Sequence, residues 1–177
     1  MRWTGSWLTA FVTADPKGTD DIRPEQHDAL RQLVNRYRMA GTEAYELAPI
    51  YANLDVEITV CAQPDAFRGD VKARVLAALS SGTLPGQPKG FFHPDRFTFG
   101  MSLYRSHLEA AIQAVSGVMG VRRMRVRRRG FFEFPADSLA DNLPEVFEVA
   151  DNEVIRVMND PNRPERGSLT IRMEGGK

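Results

Sequence analysis

The chain has one cysteine, three histidines and no net charge, and each scarcity removes a class of chemistry. Cys61 alone makes neither an internal disulfide nor a zinc site, which leaves a reducing compartment as the default. His27, His93 and His107 stand far apart, with no His-x-x-x-His or Cys-x-x-Cys spacing, so no metal set is expected. The 23 basic and 23 acidic side chains cancel, and no global field draws the chain to nucleic acid or to an anionic membrane. No run approaches the roughly 20 apolar residues of a membrane helix, and the opening residues Met1 to Trp7 lack the apolar core of a signal peptide. The phosphate-cradling Gly-x-x-x-x-Gly-Lys, the Gly-x-Gly-x-x-Gly turn and an activated serine elbow are missing as well. No cofactor-binding or catalytic set is therefore expected.

What the chain does contain is enough apolar material, 42% of 177 residues, for one ordinary core or two small α/β units. The aromatic and β-branched stretch Trp3 to Val12 reads as a strand with apolar groups on both faces, expected to be covered on both sides. Pro24 then opens a helix on which Leu30, Leu33, Val34 and Tyr37 recur at the spacing of one buried stripe, with Gly41 closing it. Leu54, Val56, Ile58 and Val60 alternate strictly with Asp55, Glu57, Thr59 and Cys61, the clearest strand of the chain. Val71, Val75, Leu76 and Leu79 form a second helical stripe ending at Gly82.

The first half thus reads strand, helix, strand, helix, and parallel strands would place both helices on one face of a sheet. The Gly- and Pro-rich loop from Ser80 to Gly90 is the expected boundary. Beyond it come a phenylalanine-rich loop, a helix carrying Leu108, Ala111, Ile112 and Val115, and short strands at Val121 to Arg128, Glu153 to Met158 and Ser168 to Met173. The expected fold class is α+β, with an α/β unit over residues 1–82 and a second α+β unit over residues 83–177.

Two segments stand out as candidate surfaces. In the loop Gly90 to Gly100, Phe91, Phe92 and Phe97 are read as rings that anchor the loop to a core or to a neighbouring subunit, while His93 and Asp95 tie it to backbone groups. A carboxylate two residues from an imidazole also matches a general-base pair, so a hydrolase using His93 and Asp95 is a lesser alternative. In the segment Arg122 to Arg129, alternation places Arg123, Arg125, Arg127 and Arg129 on one face as a basic ribbon and turns Met124 and Val126 inward.

Followed by Phe131, Phe132 and Phe134, this ribbon raises a second alternative, a single-stranded nucleic-acid-binding strand. Against it, Phe132 replaces the small residue of the RNA-recognition signature and Glu133 its next aromatic. The competing expectation pairs the ribbon with acidic residues of a neighbouring subunit or of this chain's own segment Glu145 to Glu153.

Several motifs, in order, resemble one family. They are Arg2-Trp3-Thr4-Gly5-Ser6-Trp7, Arg38-Met39-Ala40-Gly41, Leu54-Asp55-Val56 with Val60-Cys61, Gly90-Phe91-Phe92-His93-Pro94-Asp95 with Phe97-Thr98-Phe99-Gly100, Ser116-Gly117-Val118, and Asn159-Asp160-Pro161-Asn162 with Pro164-Glu165 and Gly175-Gly176. Together they are similar to the C-terminal region of the J-like baseplate assembly proteins of contractile phage tails and related bacterial injection particles. The Phe-Phe-His-Pro-Asp stretch is the most specific of them, and Met101 departs from the pattern, standing where a polar residue such as Gln is expected.

The resemblance implies a structural wedge component without catalytic residues. Its implied partners are a second J-like subunit, a small lysozyme-like-fold baseplate protein and proteins near the tube and sheath. It also implies assembly in the bacterial cytoplasm, followed by incorporation into the tail or particle. Family members are usually several times longer, so one surface is expected to meet the N-terminal region of such a subunit.

Overall fold

The computed structural model describes residues 8–82, 88–130 and 143–177, together with the backbone of residues 2–3. It is an α+β fold made of two compact units, Met1–Ile50 and Tyr51–Lys177.

The first unit is a strand–helix–strand arrangement. Strand β1 (Arg2–Trp3) lies antiparallel to β2 (Leu8–Val12), and β2 runs parallel to β3 (Thr42–Glu46) with Leu8 opposite Thr42 and Val12 opposite Glu46. Helix α1 (Pro24–Tyr37) makes the crossover. It starts where Pro24 needs no N–H partner and where the Gln26 side chain accepts the Arg23 N–H at 3.0 Å. The stop comes at Arg38, whose N–H donates to Val34, and Gly41 with φ 79° turns the chain into β3. His27 pairs with Glu46 and ties the helix to β3.

Two burial expectations fail in this unit, and the strand pairing differs as well. The stripe Leu30, Leu33, Val34, Tyr37 exists as a helix face, but no residue of α1 is buried, and Tyr37 is 72% exposed. Leu8 and Phe11 of β2 are likewise exposed, not covered on both sides. The parallel partner of β2 is β3, and the 54–61 strand lies in a different sheet, so the arrangement that parallel pairing of those two strands would give does not arise.

The second unit is built on β4 (Ile50–Ala62), whose alternation puts Ala52, Leu54, Val56, Ile58, Val60 and Ala62 into the core. Along one edge β6 (Val118–Arg128) pairs antiparallel with it, from Leu54 opposite Arg128 to Ala62 opposite Val118. The other edge takes β8 (Glu153–Arg156) and β9 (Ser168–Gly175), the latter parallel from Asp55 opposite Ser168 to Ala62 opposite Gly175. Helices α2 (Arg68–Leu79) and α3 (Arg105–Gln113) cover the core face with Val71, Val75 and Leu79 from one and Leu108 and Ile112 from the other. Each such side chain contributes about 1.5–3 kcal/mol by leaving water.

A two-stranded ribbon of β5 (Leu103–Tyr104) and β7 (Val146–Phe147) completes the unit. Gly167, at φ 91°, lets the chain enter β9 tightly against β4, because a Cβ there would stand 2.5 Å from the Leu54 carbonyl oxygen.

The division between units falls at Ile50 and Tyr51, not in the Ser80–Gly90 loop. Residues 51–82 belong with the second unit because β4 is its central strand and α2 covers its core. The loop after α2 is also stitched to that helix by the Phe91 N–H donating to Ala78 at 2.8 Å.

Candidate functional site

The phenylalanine loop is an anchor inside the second unit. Gly90 passes so close to the Ser80 backbone that a Cβ would collide with it. Phe91 and Phe92 meet edge-on at 5.1 Å, Phe91 and Phe97 at 5.9 Å, and Phe92 stacks on Phe97 at 6.0 Å. All three rings are buried in the core of this single chain, where they anchor the loop.

His93 and Asp95 belong to the same device. The His93 ring, its side chain 5% exposed, accepts the Asp95 N–H on Nδ1 at 3.1 Å and so caps the short 3₁₀ turn Pro94–Arg96. The Asp95 carboxylate takes the Lys89 ammonium at 2.6 Å. A histidine oriented by a carboxylate for base work donates its Nδ1–H to that carboxylate. Here Nδ1 is an acceptor from the backbone, and the opposite tautomer is held.

The arginine strand, by contrast, reaches the surface. In β6 the register sets Arg127 against Asp55, Arg125 against Glu57 and Arg123 against Thr59, while Met124 and Val126 oppose Ile58 and Val56 on the core side. Asp55, its side chain 10% exposed, collects Arg127 Nε at 2.8 Å, Arg129 Nη2 at 2.7 Å and the Ser168 hydroxyl at 2.6 Å. Burial pushes its carboxyl up, but the hydrogen bonds from Arg129, Ser168 and Arg127, with the Arg129 charge, outweigh that and hold it below its ordinary range.

Glu57 pairs with Arg172 of β9 at 3.1 Å, and Glu174 takes Arg122 at 2.6 Å. Arg128 points the other way and pairs with Glu153. That hydrogen bond, helped by the Ala150 N–H at 3.0 Å, holds Glu153 below the usual carboxylate range against the pull of burial.

The ribbon's acidic partners within the chain are therefore mainly on the neighbouring strand β4, and from the segment Glu145 to Glu153 only Glu153 forms a described ion pair with it. The sequence carried the signal: acidic alternation at Asp55 and Glu57 matches basic alternation at Arg125 and Arg127 when the two strands run antiparallel. Phe131 to Phe134, and with them the aromatic half of the nucleic-acid alternative, lie outside the described residues, as do Thr4 to Trp7 and Asp141-Asn142.

Among the described residues no three His, Cys, Asp or Glu side chains converge as a metal-binding group, and no helix is long and apolar enough to cross a membrane. No protein-family model matches the chain, and neither does any curated protein sequence.

Proposed function

We propose that this chain is a non-enzymatic structural component of a phage-tail-like contractile injection particle, a wedge-type baseplate subunit that acts through protein–protein assembly. One observation carries the assembly part. Leu8, Phe11, Leu33, Tyr37, Met39, Tyr45, Leu47 and Ile50 are all exposed, whereas every buried hydrophobic residue among those described lies between Ala52 and Ile171. Apolar surface concentrated in this way marks an interaction site in a folded protein. The particle class rests on the linear motifs, above all Gly90-Phe91-Phe92-His93-Pro94-Asp95. In this reading that loop is the internal anchor of the subunit and the first unit supplies the contact.

The test is co-purification of the full chain with the products of its neighbouring genes. A defined multi-subunit complex is expected, with cross-links from residues 8–50 to the partners. A lone monomer that carries a small molecule in a cleft would overturn the proposal.

A further inference from the structure

On the outer face of the β6–β4–β9 sheet the arginines of β6 and Arg172 outnumber Asp55, Glu57 and Glu174, although the whole chain is neutral. Among the described residues no ion pair of Arg125 is seen on this face. Arg127 and Arg129 share Asp55, and Arg172 takes Glu57, the residue directly opposite Arg125 in the register. The Arg125 Nε is buried and has no hydrogen-bond acceptor among the described residues. The Arg125 side chain lines a surface cavity of about 370 Å³ whose polar lining also includes Asp55, Glu57, Arg127, Ser168, Thr170 and Arg172. A buried guanidinium N–H left without an acceptor is costly, and the acceptor that suits it best is a carboxylate or phosphate oxygen.

We infer that this cavity is a docking site for an extended acidic segment of a partner protein, with a carboxylate of that segment accepting from Arg125. Three features favour protein over nucleic acid. Asp55 and Glu57 lie directly beside Arg127 and Arg125 on the neighbouring strand and repel a continuous phosphate backbone, whereas an extended peptide can aim one acid at Arg125 and turn the residues on either side of it away from the sheet. Among the described residues the cavity lining holds no aromatic ring on which a base can stack. Arginines two residues apart on a strand repeat at about 6.8 Å, the spacing at which an extended peptide presents alternate side chains. The inference rests on the assembly reading for the presence of a partner, and it assigns that partner's chemistry.

The experiment titrates the full chain with a fluorescein-labelled hexapeptide of alternating Ser and Glu, beside a labelled thymidine oligonucleotide of equal charge. The peptide is expected to bind saturably, to weaken as salt rises, and to lose at least about tenfold in affinity on Arg125→Glu, as truncation of a buried charge pair does. Lys72→Glu, an equal charge change on α2, leaves binding as it was. A thermal melt checks that Arg125→Glu folds, and Arg125→Gln, which also removes the charge, serves if it does not.

Absent peptide binding, or binding indifferent to both Arg125 variants, overturns the site. Tighter binding of the oligonucleotide, lost on Arg125→Glu, overturns the protein partner in favour of nucleic acid. A failed titration beside a successful co-purification removes only this site. Peptide binding by a chain that purifies alone removes only the assembly reading.

Discussion

Helices α1 and α2 carry comparable apolar stripes, yet Val71, Val75 and Leu79 of α2 are fully buried while Leu33 and Tyr37 of α1 face solvent. The strands differ in the same sense. Central strand β4 buries one whole face, whereas β2 and β3 leave Leu8, Phe11 and Tyr45 exposed. Periodicity makes a helix or strand amphipathic, but burial needs a second layer to receive the apolar face. The second unit supplies its own layer, a sheet under two helices. In the first unit α1 meets β3 but buries none of its own residues, and that is why the assembly reading places the contact there.

The largest test of this contrast is Ile58→Ala, which opens a cavity beneath β4 and is expected to cost about 3–4 kcal/mol of stability. Urea unfolding measures it, and a loss under about 1 kcal/mol would mean that the second unit lacks the close-packed core described above. Next comes Asp55→Ala, which strands Arg127, Arg129 and Ser168 on the sheet. Its expected cost is about 2–3 kcal/mol, and a double-mutant cycle with Arg129→Ala returning no coupling would show the pair to be energetically idle.

A smaller effect appears in the pH dependence. Asp55 and Glu153 both have carboxyls held below their unfolded values, so folding releases their protons more readily. Their contribution is fully present above the unfolded carboxylate range, about pH 4. It is lost as pH falls through the lower folded values. Asp55→Asn is expected to flatten the acid limb of the stability curve, and an unchanged limb in acid titration followed by circular dichroism would discount that carboxylate.

The smallest change is expected in the first unit. Leu33→Ser and Tyr37→Ser should each shift stability by less than about 0.5 kcal/mol while lowering the yield of partner subunits in co-purification. A loss comparable to that of Ile58→Ala would show that these side chains are already covered.

Much of the second unit was legible beforehand. The alternation of residues 54–61, the stripes of α2 and α3, and the inward Met124 and Val126 all appear where periodicity places them. Strand β3 was missed because Thr42-Glu43-Ala44-Tyr45-Glu46 has weak alternation and follows a glycine turn. The boundary was misplaced because Gly and Pro mark loops, and a loop divides units only when few contacts cross it. The Phe91 N–H bond to Ala78 and the packing of α2 in the common core both span this one. For the candidate surface, the basic alternation of β6 is readable in the sequence, but which arginine buries an Nε without an acceptor among the described residues is not.

By itself the sequence determined the local matters: the faces of β4, β6, α2 and α3, the start of α1 at Pro24, the neutral balance of charge, and the single thiol. These follow from backbone geometry and from neighbours a few residues away. Tertiary structure alone decided that Arg127 meets Asp55 across 72 residues, that Arg172 takes Glu57 while the Arg125 Nε is left without an acceptor among the described residues, and that the Phe91, Phe92 and Phe97 rings turn inward. Those outcomes depend on strand register and on which layer covers which face. Both are set by the summed packing of distant segments, which no short window of residues contains.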